Sequence, residues 1–215
     1  MTRSAAIALL LVWPVLGAAQ TDAPVPEPEV KAEDRWTYRR LPGSYNAGET
    51  YEMRVTFAAR NAIHVVVTGK DGRESDATFT PEWNDVVSPT GRINARARGE
   101  LQFPLQVGAA YRLEWQVDTP QTGHPALGET GSHQRSIKVA AWEEITVPAG
   151  RFRALRVESD GRYQRDRNSG LVKETFWYVP EIKRWAKYTY DVTHLSNKGA
   201  FRDRGGEELV AFKVR

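Results

Sequence analysis

The 215-residue sequence contains no cysteine. This excludes disulfide bonds and thiolate metal sites, and we expect no lipid anchor of the kind that bacterial lipoproteins carry on an N-terminal cysteine. Histidine is also scarce: there are four, and none has a second histidine at the spacing of two to four residues typical of chelating pairs. His124, His133 and Glu129 fall in one predicted loop, where we interpret them as solvent-exposed. The sequence therefore predicts no metal site.

Recognisable catalytic motifs are missing as well. There is no G-x-S-x-G nucleophile elbow, and no glycine-rich loop has the strand and helix around it that phosphate binding requires. The acidic pairs Glu143-Glu144 and Glu207-Glu208 are sequence neighbours, so in a strand the two side chains of each pair point to opposite faces and cannot share a proton. We predict that the chain is not an enzyme and uses no cofactor.

The sequence has no segment in which charge of one sign is concentrated. The net charge is +3, from 30 basic and 27 acidic residues that are interspersed. A nucleic-acid-binding protein would show a basic face, so we predict no nucleic-acid partner. The arginines of residues 151–167 alternate with acidic residues. We interpret this stretch as a solvated hairpin edge rather than a site for anionic headgroups.

Long apolar runs are confined to the N-terminus. Arg3 precedes an apolar segment at residues 5–16, and Gly17-Ala18-Ala19 forms a small-residue cleavage site. This layout is typical of a secretory signal peptide, and the apolar run is shorter than the roughly 20 residues of a membrane-spanning helix. We therefore predict a signal peptide at 1–19, cleavage near Ala19 and Gln20, a periplasmic or secreted location, and no transmembrane anchor.

The remaining chain is predicted to contain a leader and one domain. Residues 20–33 carry three prolines among acidic residues and few large apolar ones, which favours a disordered Pro-rich leader. Residues 34–215 are long enough for a single hydrophobic core, and no composition shift divides them.

Apolar residues within this domain alternate with polar ones, which is the period of a half-buried strand. The clearest runs lie at residues 34–39, 50–57, 63–67, 111–117, 137–147, 155–157, 175–179, 186–192 and 210–214. We predict an all-β fold: a single antiparallel, strongly curved sheet or partly open β-barrel of about nine to eleven strands, with at most one or two short helices. The best helix candidate lies within residues 81–98.

Turn chemistry predicts how these strands are connected. Asp71-Gly72 favours a two-residue hairpin turn, Val147-Pro148-Ala149-Gly150 a hairpin corner, and Ser159-Asp160-Gly161 a turn. Residues 118–134 contain two prolines and several glycines, and we predict a long exposed loop there. Trp142 falls out of phase with its neighbours, which indicates a β-bulge nearby.

Four stretches together resemble a family of exported bacterial β-sheet proteins that has no established activity. The stretches are Asp34-Arg35-Trp36-Thr37-Tyr38, Phe103-Pro104-Leu105-Gln106-Val107-Gly108, Val147-Pro148-Ala149-Gly150-Arg151-Phe152 and Trp177-Tyr178-Val179-Pro180-Glu181. The resemblance implies an antiparallel periplasmic fold similar to the half-barrels of lipoprotein carriers. Two positions depart from the pattern, because Glu33 and Lys183 stand where glycine is usual.

Aromatic residues supply the candidate site. The large rings can fill the core, or some of them can line an apolar groove on the concave face of the sheet. The candidate groove residues are Trp36, Tyr38, Trp115, Trp177 and Tyr188.

Three functional hypotheses follow. The leading one is a non-enzymatic periplasmic binding or envelope-accessory protein that holds a hydrophobic ligand, such as a lipid or an acyl chain, on its concave face. The alternative is a protein-interaction module that contacts an envelope protein through a sheet edge or the 118–134 loop. The third is a hydrolase whose catalytic residues are dispersed in the sequence.

Overall fold

The computed structural model describes residues 23–87, 93–94, 99–121, 124–165 and 168–215, with side chains left out at 93–94, 117–121 and 124–130. The predicted signal peptide at 1–19 lies outside these residues. Within them the strands are β1 (Arg35–Arg40), β2 (Thr50–Ala59), β3 (Ala62–Gly69), β4 (Glu74–Phe79), β5 (Asp85–Val87), β6 (Ile93–Asn94), β7 (Ala110–Gln121), β8 (His124–Val147), β9 (Gly150–Arg165), β10 (Asn168–Val179), β11 (Arg184–Ser196) and β12 (Gly199–Lys213). One 3-10 helix, Pro180–Ile182, lies between β10 and β11.

All of these strands belong to one antiparallel sheet. Each strand pairs with the next in sequence, and β1 also pairs with β12, so the order of pairing returns to its start as in a closed barrel. The wall is narrowest between β5 and β6, where Val87 and Ile93 form a single residue pair. The predicted fold class, a single antiparallel, strongly curved sheet or partly open β-barrel, is confirmed.

The alternation of the sequence explains the packing of the barrel. Val55 on β2 faces Val65 on β3, and Val139 on β8 faces Val157 on β9; all four are buried on the inner side. Each fully buried valine contributes about 1.5–3 kcal/mol relative to an exposed one.

The two ends of the barrel differ. Connections that follow even-numbered strands gather at one end, where Leu101, Leu105 and Ile182 are buried together with Val25 of the N-terminal segment. We call this the closed end. The odd-numbered strands finish at the opposite end, which we call the open end.

The described part of the N-terminal leader is not free of the barrel. Val25 is 6% exposed, and its backbone N–H and C=O both bond to Leu105, at 2.8 and 2.9 Å. The disordered leader over residues 20–33 stays a prediction for the segment as a whole, but Val25 within it pairs with the barrel. Prolines block regular secondary structure, but they leave an extended segment free to pair through the residues between them.

The predicted loop at residues 118–134 is also wrong. β7 continues to Gln121 and β8 begins at His124, so the two form a long hairpin. The pairing is irregular between Thr119 and Gln121, and Pro120 is omitted from it. A bulge of this kind lets a residue that lacks an N–H group sit within a strand.

The predicted turn at Ser159-Asp160-Gly161 is not observed, because β9 passes through it without interruption. Gly161 lies opposite Arg135, and a Cβ atom there would overlap the backbone of Gln134 and Arg135. The glycine permits close strand approach rather than a change of direction. The described residues of 81–98 include β5 and β6 and form no helix.

Other local predictions are confirmed. Pro148 and Ala149 form the turn between β8 and β9, and Lys70 to Arg73 connect β3 with β4, although with four residues rather than two. The bulge predicted near Trp142 lies between Val139 and Ala141.

The two departures from the family pattern occupy special backbone positions. Glu33 and Lys183 have φ angles of 71° and 61°, in the left-handed region that glycine adopts most readily. Glycine would adopt this conformation at either position with less strain than glutamate or lysine.

In the part of the chain that the structure describes, no helix combines the length and apolarity needed to cross a bilayer.

Candidate functional site

Residues of the barrel interior line a cavity of about 590 Å³ that is partly open to solvent. A second cavity of about 420 Å³ adjoins it on the β8 to β12 side, and the two share His133, Arg135 and Glu174 in their walls. Cavities that bind small ligands usually measure about 300–1,000 Å³. The barrel interior is therefore the candidate site.

Only part of the predicted aromatic set lines this cavity. Trp115 and Tyr188 do, on β7 and β11. Trp36 and Tyr38 are 0% exposed, and their polar atoms donate to the backbone carbonyls of Ile182 and Trp185, at 2.8 and 2.7 Å. These two residues belong to the core of the closed end.

Trp177 lies on the outer face. It alternates with the inward-facing Phe176 and Tyr178, and its indole N–H donates to the Glu143 carboxylate at 2.9 Å. The ammonium group of Lys187 lies 5.2 Å from the ring centroid. Trp177 therefore does not line the cavity.

A carboxyl pair occupies the middle of the cavity wall. The Nε atom of Arg135 lies 3.6 Å from the nearer Glu100 oxygen and 3.5 Å from that of Glu174. The Tyr188 hydroxyl donates to Glu174 at 2.6 Å, and the Ser159 hydroxyl donates to Glu100 at 3.3 Å. Two acids from distant parts of the sequence therefore meet beside one guanidinium group.

The environment of Glu100 favours its neutral form. Burial raises the pKa of Glu100 well above its ordinary value, and the adjacent Glu174 carboxylate raises it further. Arg135 and the Ser159 hydroxyl oppose this rise in pKa. A protonated Glu100 can donate a hydrogen bond to Glu174, so the pair can share one proton and can donate to or accept from a ligand.

A third acid, Glu207, lies nearer the closed end. Its carboxylate accepts hydrogen bonds from the Tyr51 hydroxyl and, at 2.9 Å, from the Trp185 indole. Burial raises the pKa of Tyr51 well above its ordinary value, and the Glu207 charge adds to the shift. The neighbouring Glu208 instead pairs with Arg39 on the outer face. The inference that such adjacent acids face opposite sides is confirmed here.

Arg184 lies at the start of β11 and is 3% exposed. Four rings surround its guanidinium carbon, which is 3.8 Å from the Trp185 centroid, 4.3 Å from Trp83, 5.4 Å from Phe79 and 5.8 Å from Tyr38. We call these four residues the aromatic cage. They offset part of the cost of burying the cation.

His133, which lines both cavities, does not lie in a loop as predicted. His133 belongs to β8, and its ring stacks on Trp115 at 5.1 Å and on Tyr163 at 5.9 Å. Among the described residues, no group of three histidine or acidic side chains is arranged to bind a metal ion. The side chains of His124 and Glu129 lie outside the described set.

Sequence reasoning missed the charged residues of the site, namely Glu100, Arg135, Glu174 and Arg184. One signal was available for two of them. Arg135 is in phase with the buried Ile137 and Val139, and Glu174 is in phase with Phe176 and Tyr178. A charged residue that shares the apolar face of a strand marks a polar site inside the fold.

Replacing Glu100 with glutamine is expected to stabilise the protein at alkaline pH by on the order of 1–3 kcal/mol, the usual desolvation penalty of a buried polar group. The raised pKa of Glu100 means that the folded state binds its proton more tightly than the unfolded state does. The folded state therefore loses stability as pH rises from about 4.3, the pKa of a glutamate in the unfolded chain, toward the higher pKa of Glu100 in the folded protein. Glutamine does not titrate, so the variant avoids this loss.

Urea denaturation at pH 4.5 and pH 8 measures this effect, and the gain should be close to zero at the lower pH. Glu144→Gln is the matched control, since Glu144 is exposed and pairs with Arg151 on the surface. It should change the free energy of unfolding by less than about 0.5 kcal/mol at either pH. A loss of stability in Glu100→Gln at both pH values would show that Glu100 is charged in the folded protein.

These features together define an antiparallel barrel, closed at one end, with an internal cavity of mixed polar and aromatic lining. No protein-family model matches the sequence, and no curated protein matches it. A candidate lipoprotein from Parabacteroides distasonis matches in structure with a TM-score of 0.50 and 10% identity, over 89% of this chain and 100% of the other. A candidate exported protein with a YmcC-like fold from Bacteroides fragilis matches with a TM-score of 0.47 and 13% identity, over the same shares.

At these identities the likeness concerns the fold alone. The fold of this chain is thus similar to that of a candidate lipoprotein. Membership in one family and kinship with lipoprotein-carrier half-barrels stay predictions.

Proposed function

We propose that this chain is an extracytoplasmic binding protein, without catalytic activity, that holds a small amphipathic molecule inside the barrel. The observation that carries the proposal is the cavity of about 590 Å³, closed at one end and lined by both aromatic and charged side chains. The signal-peptide pattern and the likeness in fold to a candidate lipoprotein support the location.

The cavity lining favours a ligand with polar groups over a bare acyl chain. Glu174, Glu207 and Arg184 all line the cavity. An acyl chain that displaced water from these side chains would leave them desolvated without new partners, which costs several kcal/mol. Trp115 and Tyr188 offer flat faces for an apolar or aromatic part of the same ligand.

The two other functional hypotheses have less support. The interaction hypothesis named a sheet edge or the 118–134 loop, but each described strand pairs on both sides and those residues form a hairpin. For the hydrolase hypothesis, Ser159, which lies beside the carboxyl pair, is 1% exposed and therefore poorly placed to attack a ligand in the cavity.

Binding of the neutral fluorophore N-phenyl-1-naphthylamine tests the proposal. Val67 lines the cavity, and Val66 is its neighbour on the opposite side of β3. Val67→Trp should weaken binding about tenfold or more, because the larger side chain occupies the cavity, whereas Val66→Trp should leave the affinity unchanged. Absence of binding to the wild-type protein, or an equal effect of both variants, would refute binding within the barrel.

A further inference from the structure

Arg184 is a buried cation for which no ion pair is found among the described residues. Its Nε and Nη1 atoms are buried and have no hydrogen-bond partner. The ion pairs found among the described residues do not include Arg184, whereas the other buried arginine of the cavity, Arg135, lies between two acids. Arg184 also lines the cavity.

Glu207, an acid in the same cavity wall, already has other hydrogen-bond partners. Both oxygens of Glu207 accept hydrogen bonds, one from Tyr51 and the other from Trp185. The Tyr38 hydroxyl donates its hydrogen to the Trp185 carbonyl oxygen, and its oxygen is a side-chain hydrogen-bond partner of Arg184 that carries no charge. The aromatic cage offers attractive ring faces but no acceptor equivalent to a carboxylate.

An unpaired buried cation is costly for the folded state. Arginine stays protonated at any physiological pH, so it cannot lose its charge on burial as lysine can. The penalty for a buried ion without a partner amounts to several kcal/mol. An anion supplied from solution would give the free nitrogen atoms an acceptor and would balance the charge.

We propose that Arg184 is the anion-binding group of the cavity and that the ligand is an amphipathic anion. Its carboxylate, phosphate or sulfonate group lies against Arg184 within the aromatic cage, and its apolar part extends toward Trp115 and Tyr188. This inference rests on the proposed function, since it names the chemical class of the molecule held in the same cavity.

A matched pair of fluorophores tests the inference. 1-Anilinonaphthalene-8-sulfonate carries a sulfonate group on the same ring framework as the neutral N-phenyl-1-naphthylamine. The wild-type protein should bind the sulfonate about tenfold more tightly. Arg184→Met should abolish this preference while it changes the affinity for the neutral probe by no more than about twofold, and Arg184→Lys should retain part of the preference.

Lys187→Met is the control variant, because it removes a cation on the outer face, beside Trp177. It should leave the preference for the sulfonate unchanged. Competition by naphthalene-2-carboxylate and by 2-naphthyl phosphate, with naphthalene-2-carboxamide as the neutral analogue, identifies which anionic group is preferred. Circular dichroism establishes whether each variant is folded. If Arg184→Met does not fold, the comparison of the wild-type protein with Arg184→Lys is decisive.

The outcomes separate the two proposals. Equal affinity of the wild-type protein for both fluorophores would overturn the anion site and leave binding within the barrel standing. A preference for the sulfonate that persists in both Arg184 variants would place the anion elsewhere and overturn the assignment. Failure of both fluorophores to bind would overturn the proposed function together with this inference.

Discussion

Replacing Arg135 with methionine is expected to destabilise the protein by about 3–5 kcal/mol at neutral pH, the usual cost of removing one member of a buried ionic cluster. The Arg135 side chain is 5% exposed, and those of Glu100 and Glu174 are 21% and 16% exposed. Its Nη1 atom also donates to the backbone carbonyls of Gln134 and Arg162. Methionine fills a similar volume but leaves the acids and both carbonyl groups without this partner.

The loss should depend on pH in a defined direction. Arg135 lowers the pKa of Glu100 against the effect of burial, so its removal raises that pKa further. A higher folded pKa means that more stability is lost as pH rises above the unfolded value of about 4.3. The deficit of Arg135→Met in urea denaturation should therefore be larger at pH 8 than at pH 4.5.

Arg156→Met provides a matched control for this experiment. Arg156 also pairs with two acids, Glu143 and Glu158, but its side chain is 29% exposed. Its removal should cost less than about 1 kcal/mol, because solvent screens the remaining charges. The double variant Arg135→Met/Glu174→Gln should recover part of the lost stability. Equal losses in the two arginine variants would show that the carboxyl pair is not effectively buried.

The fold class could be predicted because strand burial follows local alternation. Val55, Val139 and Val157 each occupy an inward position in a strand, and each was recognised from its neighbours in sequence. The corner at Pro148 and Ala149 was predictable for the same reason, since turn chemistry acts within a few residues.

Features that depend on distant partners could not be predicted in this way. β7 and β8 form strands through a region with several strand-breaking residues because each pairs along its length with a neighbour. Val25 is ordered by Leu105, eighty residues away along the chain. Local propensity favours a loop in both places, and long-range pairing overrides it.

The site was the least predictable part. Glu100, Glu174 and Arg135 come from three separate segments, so no spacing in the sequence relates them. Whether a large aromatic side chain packs in the core or lines the cavity also depends on its depth along the barrel axis. Trp36 and Trp115 show the same alternation, yet Trp36 is part of the closed end and Trp115 lines the cavity.

Asp34 at the closed end should be as sensitive to substitution as Arg135. Its carboxylate is 0% exposed and accepts hydrogen bonds from the Lys183 ammonium group at 3.0 Å and from the backbone N–H groups of Lys31 and Arg215, both at 2.9 Å. Asp34→Ala removes the only acid paired with Lys183 among the described residues and leaves two backbone donors without acceptors. We expect a loss of about 3–5 kcal/mol in the free energy of unfolding.

A double-mutant cycle with Lys183→Met separates the ion pair from the backbone contacts. Asp34→Asn should cost less than Asp34→Ala, because the amide oxygen still accepts a hydrogen bond, and the coupling energy between positions 34 and 183 should be about 1–3 kcal/mol. The exposed pair of Asp191 with Arg202 is the control, and Asp191→Ala should cost less than about 1 kcal/mol. A coupling energy near zero would mean that the ion pair with Asp34 does not stabilise the left-handed conformation of Lys183. The backbone would then hold this residue, whose carbonyl oxygen accepts a hydrogen bond from the Trp83 indole at 2.6 Å.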